Sequence, residues 1–383
     1  MNINERSEKL HRELRGKIGT EIKTEVKNKE DLAVVYTPGV AHISSLIAED
    51  KSRVYEFTGK ANTIAIVSDG SAVLGLGNIG PEAALPVMEG KALILKDFSG
   101  VNGVPIVLQT QDTEEIISIV KNIAPGFGGI ILEDISAPRC FEIENRLKEE
   151  LDIPVIHDDQ HGIAMVVLAG LINALKLRSN SQESDRDVKI VIAGAGAAGV
   201  AIAKILHADN FTNVIVADSR GIISKDRTDL NDTKKDLLEF TNTHNISGSL
   251  VEALHDADVF VGVSVGNTVT GPMVTSMKKD PIVFALSNPT PEIDPELAKS
   301  SGAFIVATGR SDYPNQLNNA LVYPGLMKGA LEGSRCQFTT DTFIKVAKAL
   351  SSHTEPTKDA ILPDVFDKDI LEVVASIVSS TTC

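Results

Sequence analysis

Two apolar, strand-like runs in this chain end in acid pairs. Gly128-Gly-Ile-Ile-Leu132 leads into Glu133-Asp134, and Ile153-Pro-Val-Ile-His157 leads into Asp158-Asp159. If the runs are neighbouring parallel strands, four carboxyl groups meet at one sheet edge. Like charges that close together raise one another's pKa, and a cation is what keeps them ionised. Carboxylate oxygens suit Mg²⁺ or Mn²⁺, whereas zinc more often takes His or Cys; His157 and His161 beside the second pair leave zinc open. Acids after strands also cap helices, Asp159 one starting near His161 and Asp134 one starting near Ala137. Two pairs at equivalent strand ends favour a metal over capping.

A second constellation begins 35 residues after Asp159. Val188-Lys-Ile-Val-Ile-Ala runs into Gly194-Ala195-Gly196-Ala197-Ala198-Gly199 and then into the helical Val200-Ala-Ile-Ala-Lys-Ile-Leu. In a strand-to-helix turn the first glycine allows the tight bend, the second lets a pyrophosphate approach the backbone, and the third lets helix and strand pack closely. Asp218 ends the next strand-like run, about 20 residues on, where an acid holds the adenosine ribose. A carboxylate there favours NAD, and Arg220 two residues later would favour NADP, so both nucleotides stay open.

Two further segments carry usable side chains. Tyr36-Thr-Pro-Gly39 sets a tyrosine before a rigid turn, in a chain with four tyrosines. Gly90-Lys91-Ala92 puts a lysine on an otherwise apolar helix. Taken singly, a half-buried anchor and a snorkelling surface lysine explain them; together they supply an acid and a base.

The elements that must position these groups read as an α/β fold. Thr63–Val67, Val104–Leu108, Ile130–Leu132 and Val155–Ile156 are β-rich runs separated by helical stretches, among them 81–98 and one opened by Asp112 with Glu115 three residues later. That alternation makes a parallel sheet covered on both faces, with its ligand site outside the carboxyl ends of the strands, where Asp69, Glu133, Asp134, Asp158 and Asp159 all fall. A second alternating unit has strands at 188–193, 213–217, 258–263, 282–286 and 303–307, a doubly wound parallel sheet of Rossmann type. The handover at 157–162 divides the chain into residues 1–160, for substrate and metal, and 161–383, for the dinucleotide. Residues 178–187 read as a surface loop, and the amphipathic helices of 340–383 as packing back on the first unit.

The bulk numbers narrow the class. At 383 residues the chain exceeds one ordinary core, and 43% hydrophobic with 23% charged residues is the make-up of packed domains. A net charge of −15 without a basic cluster disfavours nucleic acid and anionic membranes. No uninterrupted apolar run reaches the roughly 18 residues of a spanning helix; the apolar 162–175, with Gly170 and Asn173, reads as a buried helix. The first residues lack a secretory leader, which points to the cytosol. Cys140, Cys336 and Cys383 show no paired spacing, which argues against a disulfide framework.

The ordered motifs resemble the malic enzyme family. Tyr36-Thr-Pro-Gly-Val-Ala, Ser68-Asp-Gly with Leu74-Gly-Leu-Gly-Asn-Ile-Gly, Glu89-Gly-Lys-Ala, Leu132-Glu-Asp, His157-Asp-Asp-Gln-His-Gly, Gly194-Ala-Gly-Ala-Ala-Gly and Leu286-Ser-Asn-Pro-Thr follow the family's order from about residue 20 to residue 330. The length is similar to that of the compact bacterial-type branch. The resemblance implies oxidative decarboxylation of L-malate to pyruvate and CO₂ with reduction of NAD or NADP, dependent on Mg²⁺ or Mn²⁺, in a homodimer or higher homo-oligomer. It implies Glu133, Asp134 and Asp159 as metal ligands, Lys91 as general base, Tyr36 as general acid and Asp158 as the group tuning their protonation. It further implies Asn288 at the substrate and nicotinamide, and Asn318, with Asn319 beside it, at the substrate. A neutral base is required, and burial together with a nearby metal gives Lys91 two reasons for a lowered pKa. The nearest rival resemblance is a malolactic-type enzyme, which releases lactate and keeps its NAD bound. One departure stands out: larger malic enzymes carry an arginine where this chain has Ala72, so the substrate carboxylate needs another partner, from the Gly75–Gly80 stretch or another subunit.

Overall fold

The structure, a computed structural model, describes residues 2–179 and 186–381. Most of the 178–187 loop expected from the sequence lies outside the described residues. The first sheet contains β1 (Thr63–Ser68), β2 (Asn102–Val107), β3 (Gly129–Leu132) and β4 (Val155–His157) in the order β2-β1-β3-β4, all parallel. Helices Pro81–Ser99, Thr113–Ile123 and Arg139–Glu150 make the crossovers. Every residue of β3 and β4 is buried, as expected of strands covered on both faces, whose apolar runs are continuous rather than alternating. The register pairs Leu132 with His157, so Glu133 and Asp158 leave the same sheet edge side by side.

The second sheet contains β5 (Ile190–Ala193), β6 (Val214–Asp218), β7 (Gly221–Ile222), β8 (Val259–Gly262), β9 (Ile282–Ala285) and β10 (Ile305–Thr308). Its order is β10-β9-β8-β5-β6-β7, parallel except for the β6–β7 hairpin. The chain leaves β5 in one direction to β6 and later returns to its other side as β8. The crevice of a doubly wound sheet opens at that reversal, where the glycine loop lies. Only β7 was absent from the sequence reading, because two residues carry no periodicity.

Helix Asp158–Ser179 follows β4 directly and packs against helices Ala197–Ala208 and Thr340–His353. By length and composition it could cross a membrane, as could the stretch Lys29–Glu49. The first is a core helix, with Met165 to Leu175 all buried, and the second is broken at Tyr36-Thr37-Pro38. Near the carboxyl end, helices Tyr323–Glu332 and Lys368–Ser379 pack tightly, since a Cβ on Gly329 would lie 2.4 Å from the Ala375 carbonyl oxygen. Both also touch helix Pro81–Ser99 of the first sheet. Cys140 is a buried free thiol and Cys336 is disulfide-bonded.

Among the described residues, none before Ile64 is buried. The amino-terminal segment exposes Val34, Val35, Tyr36 and Val40.

Candidate active site

One oxygen each from Glu133, Asp134 and Asp159 lie within 4.8 Å of one another. Glu133 and Asp134 leave β3 buried, and Asp134 holds a left-handed φ of 55°, a conformation Asp tolerates better than most residues. The Asp134 amide donates to Asp159 Oδ2 at 2.8 Å, drawing the two strand ends together. Glu133 Oε2 and Asp134 Oδ2 are buried without a hydrogen-bond partner. Burial raises the Glu133 carboxyl well above its ordinary range. Burial, then Asp159, pushes Asp134 up to about 7. Orphaned oxygens on crowded buried carboxyls fit a hard divalent cation, which would supply the missing partner and the missing charge.

Capping does not account for these acids. Helix Arg139–Glu150 starts after Pro138 with no side-chain cap, and Asp159 lies inside the first turn of its helix, which begins at Asp158 rather than His161. The histidines stay outside the cluster. His161 Nε2 bonds Glu144 at 2.9 Å and its ring stacks on Phe343, while His157 Nε2 is 3.6 Å from Asp159 Oδ2. Asp69 is also diverted: Arg139 donates to its carboxylate at 3.0 Å and to Ser71 and Ser136, tying the loops after β1 and β3 together.

Lys91 projects from helix Pro81–Ser99 and is 8% exposed. Its Nζ lies 2.6 Å from Glu133 Oε1, contacts Asp158 Oδ2, and sits 4.6 Å from the Tyr323 ring centroid. Asn319 Nδ2 also donates to Asp158 Oδ2, and Asp158 Oδ1 is orphaned. Gly162 makes room for that carboxylate, since a Cβ there would fall 2.2 Å from Oδ1. Here the structure corrects the sequence reading. Burial does pull the Lys91 pKa down, but Asp158 and Glu133 outweigh it and hold the amine well above the ordinary lysine value.

The glycine loop follows β5, with helix Ala197–Ala208 starting inside it. Gly194 has φ 119°, and a Cβ on Gly199 would lie 1.8 Å from the Gly194 carbonyl oxygen. A Cβ on Gly196 would meet nothing within 4 Å, the open face a pyrophosphate needs. Asp218 ends β6 with its carboxylate held by Arg227 at 2.8 and 3.1 Å and by Lys234 at 2.6 Å. Burial would raise its pKa, but these cations bring it to about 2. Arg220 turns instead to Asp229 at 2.8 Å.

A cavity of about 790 Å³ joins the two halves. Its lining brings together Lys91, Glu133, Asp134, Asp159, Gly196, Ala197, Ala198, Asn288, Asn318 and Asn319. Asp158, Gly194, Ala195, Gly199 and Asp218 are not part of that lining. Tyr36 is not brought in: it is 66% exposed and absent from the lining.

Sequence reasoning missed three supporting groups. Tyr323 covers Lys91, and no local pattern marks it. Glu292 accepts from the Ser264 and Ser287 amides, joining the loops after β8 and β9. Glu144 accepts from the His157 amide at 3.1 Å, from Gln160 Nε2 at 2.9 Å and from His161. A signal for it existed: with Cys140, Ile143 and Leu147 it completes the buried face of its helix.

Comparison with known proteins agrees with this arrangement. The family model described as malic enzyme, N-terminal domain, matches residues 15–148, and malic enzyme, NAD binding domain, matches 160–381. An NAD-dependent malic enzyme of Geobacillus stearothermophilus is 52% identical over 98% of this chain and 78% of its own length. A bifunctional malic/malolactic enzyme of Bacillus subtilis is 49% identical over 99% of this chain and 93% of its own. A crystal structure of the NAD-dependent malic enzyme of Thermotoga maritima superposes with a TM-score of 0.94 at 46% identity, covering all of both chains. With both halves matched in order and near-complete relatives at this identity, the chain belongs to the malic enzyme family.

Proposed function

We propose that this protein oxidatively decarboxylates L-malate to pyruvate and CO₂, reducing NAD or NADP in a reaction that depends on Mg²⁺ or Mn²⁺. The observation that carries the reading is the carboxylate triplet of Glu133, Asp134 and Asp159, with orphaned oxygens, in one cavity with Lys91 and the open face of Gly196. When bound, a divalent ion supplies Lewis acidity at the substrate's 2-hydroxyl and at the ketone formed from it.

The chain's own residues divide the remaining work. Lys91 takes the hydroxyl proton as hydride leaves C2 for the nicotinamide. Glu133 and Asp158 hold it as an ammonium in the resting site, so it must first pass that proton to solvent before it can accept the hydroxyl's. Asp158, itself held by Asn319, keeps the amine in place. Asn288 and Asn318, on loops of the second sheet, orient substrate and nicotinamide across from it. Loss of CO₂ leaves an enol(ate) whose C3 must be protonated, and Tyr36 is the acid assigned to that step.

Tyr36 needs a second chain. Its exposure, on a segment without a buried residue, supports a homodimer in which each copy lends its Tyr36 to the other's cavity. The same reading divides the chain near residue 160 into a substrate and metal unit and a dinucleotide unit, and sets the protein to work in the cytosol.

The test is one absorbance trace. L-malate, Mn²⁺ and either nucleotide should yield NADH or NADPH with pyruvate in equal amount, and a chelator should stop it. Lactate without net nucleotide reduction would replace this reading with the malolactic one.

A further inference from the structure

The cavity raises a charge problem that the family motifs leave open. Malate brings two carboxylates to a site with four acids, Glu133, Asp134, Asp158 and Asp159. Among the described residues lining the cavity only Lys17 and Lys91 are cationic, and Lys91 is already paired with Glu133 and Asp158. Lys17 makes no ion pair within 4 Å among the described residues.

Lys17 is also held in place. Helix Ile3–Leu14 ends at Arg15, φ 54°, and Gly16, φ 116°, two left-handed residues that turn the chain onto helix Pro81–Ser99. The Lys17 amide donates to Glu89 Oε2 at 3.1 Å, and its Nζ donates to the Pro86 carbonyl at 2.7 Å and lies 3.0 Å from His11 Nε2. With these two contacts, an ammonium with three donors keeps one free. Gly90, next to Lys91, leaves the intervening surface bare: a Cβ there would stand 3.5 Å from Lys17 Nζ. Burial lowers the Lys17 pKa while Glu89 opposes the loss of charge.

We propose that Lys17 binds a carboxylate of the substrate. The inference rests on the malate reading above. A 2-hydroxy dicarboxylate is then held at one end by the carboxylate-lined metal site and at another by a lysine from the amino-terminal segment.

Steady-state kinetics of Lys17→Met and Lys17→Arg in the full-length chain test it. A hydrogen bond to a charged group is worth about 1.5–3 kcal/mol, so Lys17→Met should raise the malate KM by roughly 10- to 150-fold. The kcat should fall far less, and Lys17→Arg should recover much of the KM. Mn²⁺ affinity, read by electron paramagnetic resonance, and NADH affinity, read by fluorescence, should be unchanged in both variants. A malate KM within about twofold of wild type would overturn the proposal. So would a KM rise accompanied by equal losses in Mn²⁺ and NADH affinity, which marks Lys17 as a structural clasp. Failure of the wild-type enzyme to oxidise malate would instead remove the functional reading beneath it.

Discussion

Lys91 Nζ lies 2.6 Å from Glu133 Oε1, so the base and one of the proposed metal ligands are paired with each other in a buried site. Removing one partner of a buried pair leaves an uncompensated charge and costs about 3–5 kcal/mol. Lys91→Met should therefore lower the melting temperature of the chelator-treated protein, and Mn²⁺ should restore most of the loss by taking over Glu133. Its kcat should fall about 10²- to 10⁴-fold, the range for losing a general base. Mn²⁺ affinity should hold or tighten, because a competing cation is gone. Weakened Mn²⁺ binding with near-normal kcat would assign Lys91 to scaffolding.

How much of this was legible in the sequence differs from group to group. The acids of β3 and β4 could be placed because covered parallel strands are unbroken apolar runs, so each dipeptide that ends one marks a sheet edge. The glycine loop was legible because steric need dictates Gly194 and Gly199. The protonation of Lys91 was not, since it depends on Asp158 and Glu133 arriving together from 67 and 42 residues away. Tyr36 was recognisable as a motif, but its place was not, because no residue of the helices on either side of it is buried within its own chain. Glu144 was hidden by composition: Arg139–Glu150 reads as a charged surface helix until its apolar face is traced.

The Tyr36 assignment predicts complementation between inactive variants. Tyr36→Phe and Lys91→Met homodimers should each be nearly inactive. In a heterodimer, the cavity that keeps Lys91 receives Tyr36 from the Lys91→Met chain, so one of the two sites is complete. Random mixing of equal amounts makes half the dimers mixed, and about a quarter of wild-type activity should return. Co-expression with two affinity tags measures it. If purified heterodimers stay as inactive as their parents, Tyr36 acts within its own chain or has no part in the chemistry.

Glu144 predicts an acid-side stability limit. Burial opposes its ionisation, but His161, Lys148 and His157 outweigh this and hold the carboxyl well below its usual range. A depressed folded-state pKa gives stability that is present above the unfolded value, about 4.3, and lost as pH falls below it. Melting temperature should therefore drop from about pH 5 downward, and the loss should continue below pH 3. Glu144→Gln should melt lower at neutral pH, by about 3–5 kcal/mol for an uncompensated buried partner, and show a shallower acid slope. Because Glu144 anchors the His157 amide beneath Asp158 and Asp159, the variant should also weaken Mn²⁺ binding. Parallel acid slopes in variant and wild type would show that other carboxyls set the limit.

Asp218 predicts a nucleotide preference governed by its neighbours. A free carboxylate at this position repels a 2′-phosphate, but here Arg227 and Lys234 already bind it, and Arg220 with Asp229 stands beside them. Counting Arg220, Arg227 and Lys234 against Asp218 and Asp229, the patch carries one excess positive charge. Replacing the carboxylate in Asp218→Ser frees Arg227 and Lys234 to meet a phosphate and removes the acceptor for the ribose hydroxyls. The ratio of kcat/KM for NADP over NAD should rise about 10- to 100-fold, from one or two charge-assisted hydrogen bonds gained on one nucleotide and lost on the other. Arg227→Ala should move the ratio the opposite way, because it leaves Asp218 to repel the phosphate with one cation fewer. Paired kinetics with both nucleotides decide it: if neither substitution moves the ratio by more than twofold, the adenosine ribose is read somewhere other than the end of β6.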